Sequence, residues 1–235
     1  RLIATADVVV ANLPPQTLRA MKLDYDSLKA IKPDIILTTA TAFGGPGPWS
    51  DRVGFDGVGQ VMSGSVYMTG AGDPPYRAAV NWVDFGTALH CAFGVMLALR
   101  ERDRTGMGQE VSGSLLGTAA TFANALAIDH ALTGVERVPM GNRSYGSGPT
   151  DVFRTTDGWI MTQVVSNPIF ARWATLIGRV DLIDDPRFAD DQARGDHGAL
   201  LSAIMADWCA TRTTDAAIEA LGRAGIPTGP VLHPA

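Results

Sequence analysis

The chain has 235 residues, 46% apolar and 18% charged, which is enough for a sizeable core and too apolar for a disordered polymer. A net charge of −5, from 19 basic and 24 acidic residues, argues against broad nucleic-acid binding, which needs a basic face. Glycine is abundant without a collagen-like period, and no signal-peptide pattern opens the chain.

Val8 to Leu13 reads as a buried strand that Pro14-Pro15 breaks, and Gln16 to Met21 starts a short helix. Ser27 to Ile31 is a helical turn ending before Pro33, and Asp34 to Thr39 is a second, β-branched strand. Strand, short helix, strand is the βαβ pattern of a parallel α/β sheet. Gly44-Gly45-Pro46-Gly47-Pro48 follows the end of that strand, where open α/β sheets bind ligands. It matches neither a dinucleotide fingerprint nor a Walker loop, and a plain connecting loop is the favoured reading of these residues taken alone.

Phe85, Ala88, Leu89, Ala92, Phe93, Met96 and Leu97 recur at three- and four-residue steps and define one apolar face of a helix over about 84–100. Its apolar run, Ala88 to Leu99, contains His90 and is too short to span a bilayer. Gln109 to Leu115 reads as a strand and Leu116 to Leu132 as an alanine-rich helix. A polar, glycine-bearing loop follows from Gly141 to Pro149. Asp157-Gly158 between the runs 152–155 and 159–164 signals a hairpin. Helices are expected over about 168–178, 198–210 and 214–224, and a last strand over Pro230 to His233. Strand-like runs so close to both ends suggest a piece of a longer polypeptide.

Asp84 is the carboxylate that stands out, because it opens the long helix. There the helix dipole and free amides would keep it ionised, as a nucleophile or as an ordinary N-cap. Asp51 and Asp56 are close in sequence, but their spacing does not make an acid/base pair. No G-x-S-x-G elbow occurs, His90 reads as structural, and the four histidines lack metal-ligand spacing, so no metal is expected. Cys91 and Cys209 sit in apolar helical patterns and read as buried thiols, which favours a reducing, cytoplasmic location.

Six segments, in order, resemble the family III CoA-transferases (CaiB/BaiF type), a family that also holds the α-methylacyl-CoA racemases. They are Ala6 to Leu13, Ala42 to Pro48, Gly54-Phe55-Asp56 with Gln60 and Ser63-Gly64, Arg104 to Gln109 with Ser114-Leu115-Leu116, Asp185 to Phe188, and Ala224 to Pro227 with Gly229-Pro230-Val231. The resemblance implies a Rossmann-like large domain, incomplete here, over 1–118. It implies a linker helix and glycine loop over 119–148, a small α+β domain over 149–235, and a homodimer of interlocked rings. It places the nucleophilic aspartate at Asp84, CoA contacts at Asn12, Leu13 and Phe55, and a mobile glycine loop at Gly146, Ser147 and Gly148. Coenzyme A enters as the acyl-CoA substrate, a small carboxylic acid is the acceptor, and neither a nucleic acid nor a membrane is a partner.

The implied reaction transfers CoA through an aspartyl acyl-anhydride and an aspartyl-CoA thioester. A racemase on the same scaffold and a non-catalytic CoA-binding module are the alternatives. Racemases of the family place histidine where Phe55 stands, and phenylalanine exchanges no proton, which favours transfer. Ala20 occupies the place of an arginine that often helps hold CoA, with Arg19 beside it, and Leu13 replaces the usual aromatic.

Overall fold

In a computed structural model, which describes residues 1–234, the chain forms two compact units, Arg1–Pro139 and Met140–Ala235. In the first, β1 (Val8–Ala11) leads through α1 (Pro15–Ala20) and α2 (Tyr25–Ile31) to β2 (Ile36–Thr41). Pro15 sits in the first turn of α1, where a missing N–H costs nothing. Asp24 caps α2, its carboxylate accepting from the Ser27 amide at 3.1 Å and hydroxyl at 2.7 Å. Ile36, Leu37, Thr38 and Thr39 are all buried, the continuous burial of a strand covered on both faces. Leu28, Ile35 and Leu37 form the small core beneath.

After a loop come α3 (Asp56–Met62), α4 (Ser65–Met68) and the 24-residue α5 (Trp82–Thr105). The chain returns as β3 (Glu110–Ser114), parallel to β2, so the sheet order is β1-β2-β3 with β2 central. Gly106 ends α5 at φ +73°, its amide bonding the Arg102 carbonyl at 2.7 Å. Gly108 passes so close to β2 that a Cβ there would lie 1.8 Å from the Ile35 carbonyl oxygen. α6 (Leu115–Phe122), capped by the Ser114 hydroxyl, packs on α3 and α5, and α7 (Asn124–Thr133) follows. The single helix expected over 116–132 is therefore two, divided at Ala123, which leaves the helical backbone at ψ 4°.

The packing face of α5 differs from the one its apolar periodicity predicts. Phe85, Leu89, Phe93, Met96 and Leu97 are exposed, whereas Gly86, Thr87, Cys91 and Ala98 are buried. Small side chains let the helix axis approach the sheet, and the bulky stripe points away from it. The helix as a whole is also long and apolar enough, by length and composition, to cross a membrane, which the 12-residue run alone concealed.

In the second unit, β4 (Thr150–Arg154) and β5 (Trp159–Gln163) form the expected hairpin, pairing Phe153 with Ile160. Its turn is tied down by Asp157, whose carboxylate accepts from the Thr214 amide at 2.8 Å and hydroxyl at 2.9 Å. The helices are α8 (Asn167–Leu176), α9 (Asp191–Asp196), α10 (Gly198–Cys209) and α11 (Thr214–Arg223). β6 (Thr228–Pro230) adds antiparallel to β5, two residues earlier than the strand expected over 230–233. Trp173, Phe188, Leu201, Met205 and Leu221 make a dense core, and the Trp173 indole donates to Met205 Sδ at 3.2 Å. Buried Arg194 donates to the Phe188 carbonyl at 2.8 Å, to Asn167 at 2.8 Å and to Asp191 at 2.6 Å.

Candidate active site

The carboxyl ends of parallel strands point one way, and connecting loops leave a crevice there. In the first unit a cavity of about 510 Å³ opens at this edge. Asn12 after β1, Thr41 at the end of β2, Arg52 and Phe55 of the intervening loop, Asp84 of α5 and Leu115 of α6 line it. The loop leaves β2 through Gly44, at φ +69°, with Ser114 Cβ 3.1 Å from where a side chain would begin. Gly54 is equally constrained, since a Cβ there would lie 2.9 Å from that of Ala42.

Asp84 is exposed and is the third residue of α5. The structure corrects the expected source of its ionisation. The Val83 and Asp84 amides in the first turn of α5 do not serve Asp84; they donate to Asp56. Asp56 Oδ2 accepts from the Val83 amide at 2.9 Å and from the Asp84 amide at 3.1 Å. Among the described residues none donates to the Asp84 carboxylate. Its carboxyl is held above the ordinary aspartate range, first by partial burial and then by the negative charge of Asp56. Asp84 is therefore not the cap of its own helix.

Asp56 is itself 3% exposed. Gln60, one turn along α3, donates to its Oδ1, while Gln60 Oε1 accepts from the Ala78 amide at 2.9 Å. Gly59 lets the two helices meet, because a Cβ there would lie 2.8 Å from Val83 Cγ1. Sequence reasoning missed this partnership, since Asp56 and Asp84 lie 28 positions apart. The four-residue step from Asp56 to Gln60 on a short helix was the one local sign of it. His90 takes the structural place expected of it, with Nδ1 3.2 Å from Thr118 Oγ1 and its ring against Phe122.

Of the residues singled out in the sequence, Asn12, Phe55 and Asp84 share the cavity, and Leu13 is half-buried and not part of its lining. Phe55 is 83% exposed, a bare apolar wall. Arg19 lines a neighbouring cavity of about 580 Å³ with Asp24, Asp26 and Glu110 instead. Gly146, Ser147 and Gly148 belong to the second unit. There Gly146 is exposed, the Ser147 hydroxyl lies 2.9 Å from that of Thr150, and Gly148 is backed by the Arg194 carbonyl. No group of three or more His, Cys, Asp or Glu among the described residues is placed to hold a metal ion.

The whole chain, residues 1–235, matches the family model described as CoA-transferase family III. It is 33% identical over 231 residues to succinyl-CoA–D-citramalate CoA-transferase of Chloroflexus aurantiacus, covering 97% of this chain and 58% of that protein. It is 29% identical to succinate–glutarate CoA-transferase of Agrobacterium fabrum, again spanning 58% of its length. Among solved structures, a CaiB/BaiF family protein from Brucella suis superposes with TM-score 0.82 at 32% identity, over 99% of this chain and 62% of that one. Rv3272 of Mycobacterium tuberculosis superposes with TM-score 0.85 at 27% identity, over 99% and 62%. The chain thus spans less than two thirds of the length of these relatives.

Proposed function

Because the chain belongs to CoA-transferase family III, we propose that the full chain moves coenzyme A from an acyl-CoA donor to a carboxylic acid, with Asp84 as nucleophile. One observation carries this reading. A carboxylate that no described residue hydrogen-bonds stands exposed in a cavity at the carboxyl ends of parallel strands. A carboxylate held above its usual range by burial is the more basic, and so the better nucleophile.

The sequence of steps conserves atoms and electrons. An Asp84 oxygen attacks the thioester carbonyl, the C–S bond breaks, and CoA leaves as thiolate from a mixed anhydride. The thiolate attacks the Asp84 carbonyl of that anhydride, releasing the donor acid and leaving an aspartyl-CoA thioester. The acceptor carboxylate then displaces the thiolate to form a second anhydride. Attack of the thiolate on the acceptor carbonyl releases the new acyl-CoA and restores Asp84. Covalent relay divides one difficult exchange into steps of lower barrier. Relatives named for succinyl-CoA, D-citramalate and glutarate favour succinyl-CoA as donor and a small dicarboxylate as acceptor. Arg52 is the cation in the cavity lining that suits such an acid. Phe55 offers no proton for racemisation. The CoA-contact roles of Asn12, Leu13 and Phe55, the glycine-loop role of Gly146, Ser147 and Gly148, and a homodimeric assembly are parts of the same proposal.

The test is to incubate the full chain with succinyl-CoA, quench with hydroxylamine and map the modified peptide. A hydroxamate on Asp84, absent from a folded Asp84→Asn variant that no longer transfers CoA, is the expected result. Label on a different residue, or deuterium uptake at the substrate Cα without transfer, would overturn the reading.

A further inference from the structure

We propose that Asp56 is a positioning residue for Asp84: it takes the Val83 and Asp84 amides in the first turn of α5, fixing the backbone of Asp84 while leaving its side chain undonated. The inference rests on the preceding reading of Asp84 as nucleophile and goes beyond it. An acidic side chain in the first helical turn ordinarily draws on the dipole and the free amides there. Each such hydrogen bond stabilises the anion and blunts its basicity. Here one buried oxygen of Asp56 accepts both the Val83 and the Asp84 amide, at 2.9 and 3.1 Å. Gln60 holds the other oxygen and is itself anchored by the Ala78 amide, so the accepting carboxylate has little freedom to turn. The second amide belongs to Asp84 itself, so the clamp acts on the residue whose side chain would attack.

The charge environment agrees. Asp56 is the one titratable residue on α3, and β2 and α6 contribute none. His90 of α5 is engaged with Thr118, and Arg52 is the cation lining the cavity. Burial and the Asp56 charge together raise the Asp84 carboxyl above its ordinary range.

Two substitutions in the full chain separate geometry from charge. Asp56→Asn keeps an oxygen that can accept the Val83 and Asp84 amides and removes the charge, at the cost of the hydrogen bond from Gln60, whose amide nitrogen then faces another donor. Asp56→Ala removes oxygen and charge alike. With Asp56→Asn, the acid limb of the kcat profile should move to lower pH while KM for acyl-CoA holds. Asp56→Ala should lower kcat by about 100-fold, the scale of an ångström-sized misplacement of a reacting group. Wild-type kcat and an unmoved acid limb in the Asn variant would overturn the inference, and that variant decides the matter should the Ala variant fail to fold. Hydroxylamine mapping is run in parallel on the wild type. If Asp84 is labelled there but the acid limb stays fixed, only the role of Asp56 fails; if Asp84 is unlabelled, the nucleophile reading fails and takes this one with it.

Discussion

Gly113 sets how closely α5 lies against β3, and a single methyl group tests it. A Cβ at this position would sit 2.4 Å from Cys91 Sγ, 3.1 Å from Thr87 Cγ2 and 3.4 Å from the Thr39 carbonyl oxygen. The first distance is over 1 Å inside the ~3.5 Å at which heavy atoms pack comfortably. Gly113 does not have a positive φ, so alanine is free of backbone strain, and the loss of chain entropy in the unfolded state favours it by about 0.4–1 kcal/mol. Overpacking costs about 1–3 kcal/mol and outweighs that gain. Gly113→Ala should therefore destabilise the first unit by about 1–2 kcal/mol net. In a Cys91→Ala background the main clash is gone and the same substitution should be close to neutral. A coupling of about 1 kcal/mol or more is the signature expected of residues in direct contact. Amide exchange of the β2–β3 ladder reads the opening free energy of this unit without interference from the other. Equal destabilisation in both backgrounds would refute the reasoning, because the cost would then not arise at the Cys91 contact.

In the second unit, Arg194→Met removes the donor to Asn167, Asp191 and the Phe188 carbonyl, and should cost about 1–3 kcal/mol, the scale of leaving buried acceptors unpaired, since the Asp191 carboxylate keeps access to water. Exchange of the β4–β5 amides measures it, and a loss under about 1 kcal/mol contradicts the assigned role. At low pH, Asp185 is the group to follow. Hydrogen bonds from the Arg187 side chain, and then its backbone amide, hold that carboxyl down to about 2 from an ordinary 3.8. A lowered carboxylate contributes stability that is complete above 3.8 and disappears as pH falls toward 2. A carbon NMR titration of Asp185 should show that low midpoint, moving up in Arg187→Ala; an ordinary midpoint in the wild type would contradict the pairing.

What the sequence made readable follows from how local each signal is. The α5 helix, the β1–β2 unit and the Asp157-Gly158 hairpin rest on periodicity or turn chemistry within a few residues, and each forms. No element is assigned from the sequence where α3 forms; there Gly54 and Gly59 make close contacts that need glycine's bareness against Ala42 and Val83. The orientation of α5 was misjudged for a related reason. Periodicity finds an apolar stripe, but close approach to β3 selects the small residues Cys91 and Gly94 instead, with Gly94 set against Val111, while Gly86 makes room for Thr118 and Phe122 of α6. The place of Asp84 in the first turn of α5 was legible from the residues, and the family resemblance made it the proposed nucleophile. The hold Asp56 has on it was not legible, because it exists only once α3 and α5 have met.

The far end of α5 has a consequence for the near one. Arg102 bridges Asp7 at 3.0 Å and Asp34 at 3.9 Å, tying the last turn of the helix to the entries of β1 and β2. Asp84 lies 18 residues earlier, about 27 Å away at 1.5 Å per residue. A stiff rod pinned at one tip by Asp56 and at the other by Arg102 has little room to slide or pivot. On the proposed role of Asp84, substitutions that tune transfer are thus to be sought at the distant tip as well, among residues outside the cavity lining.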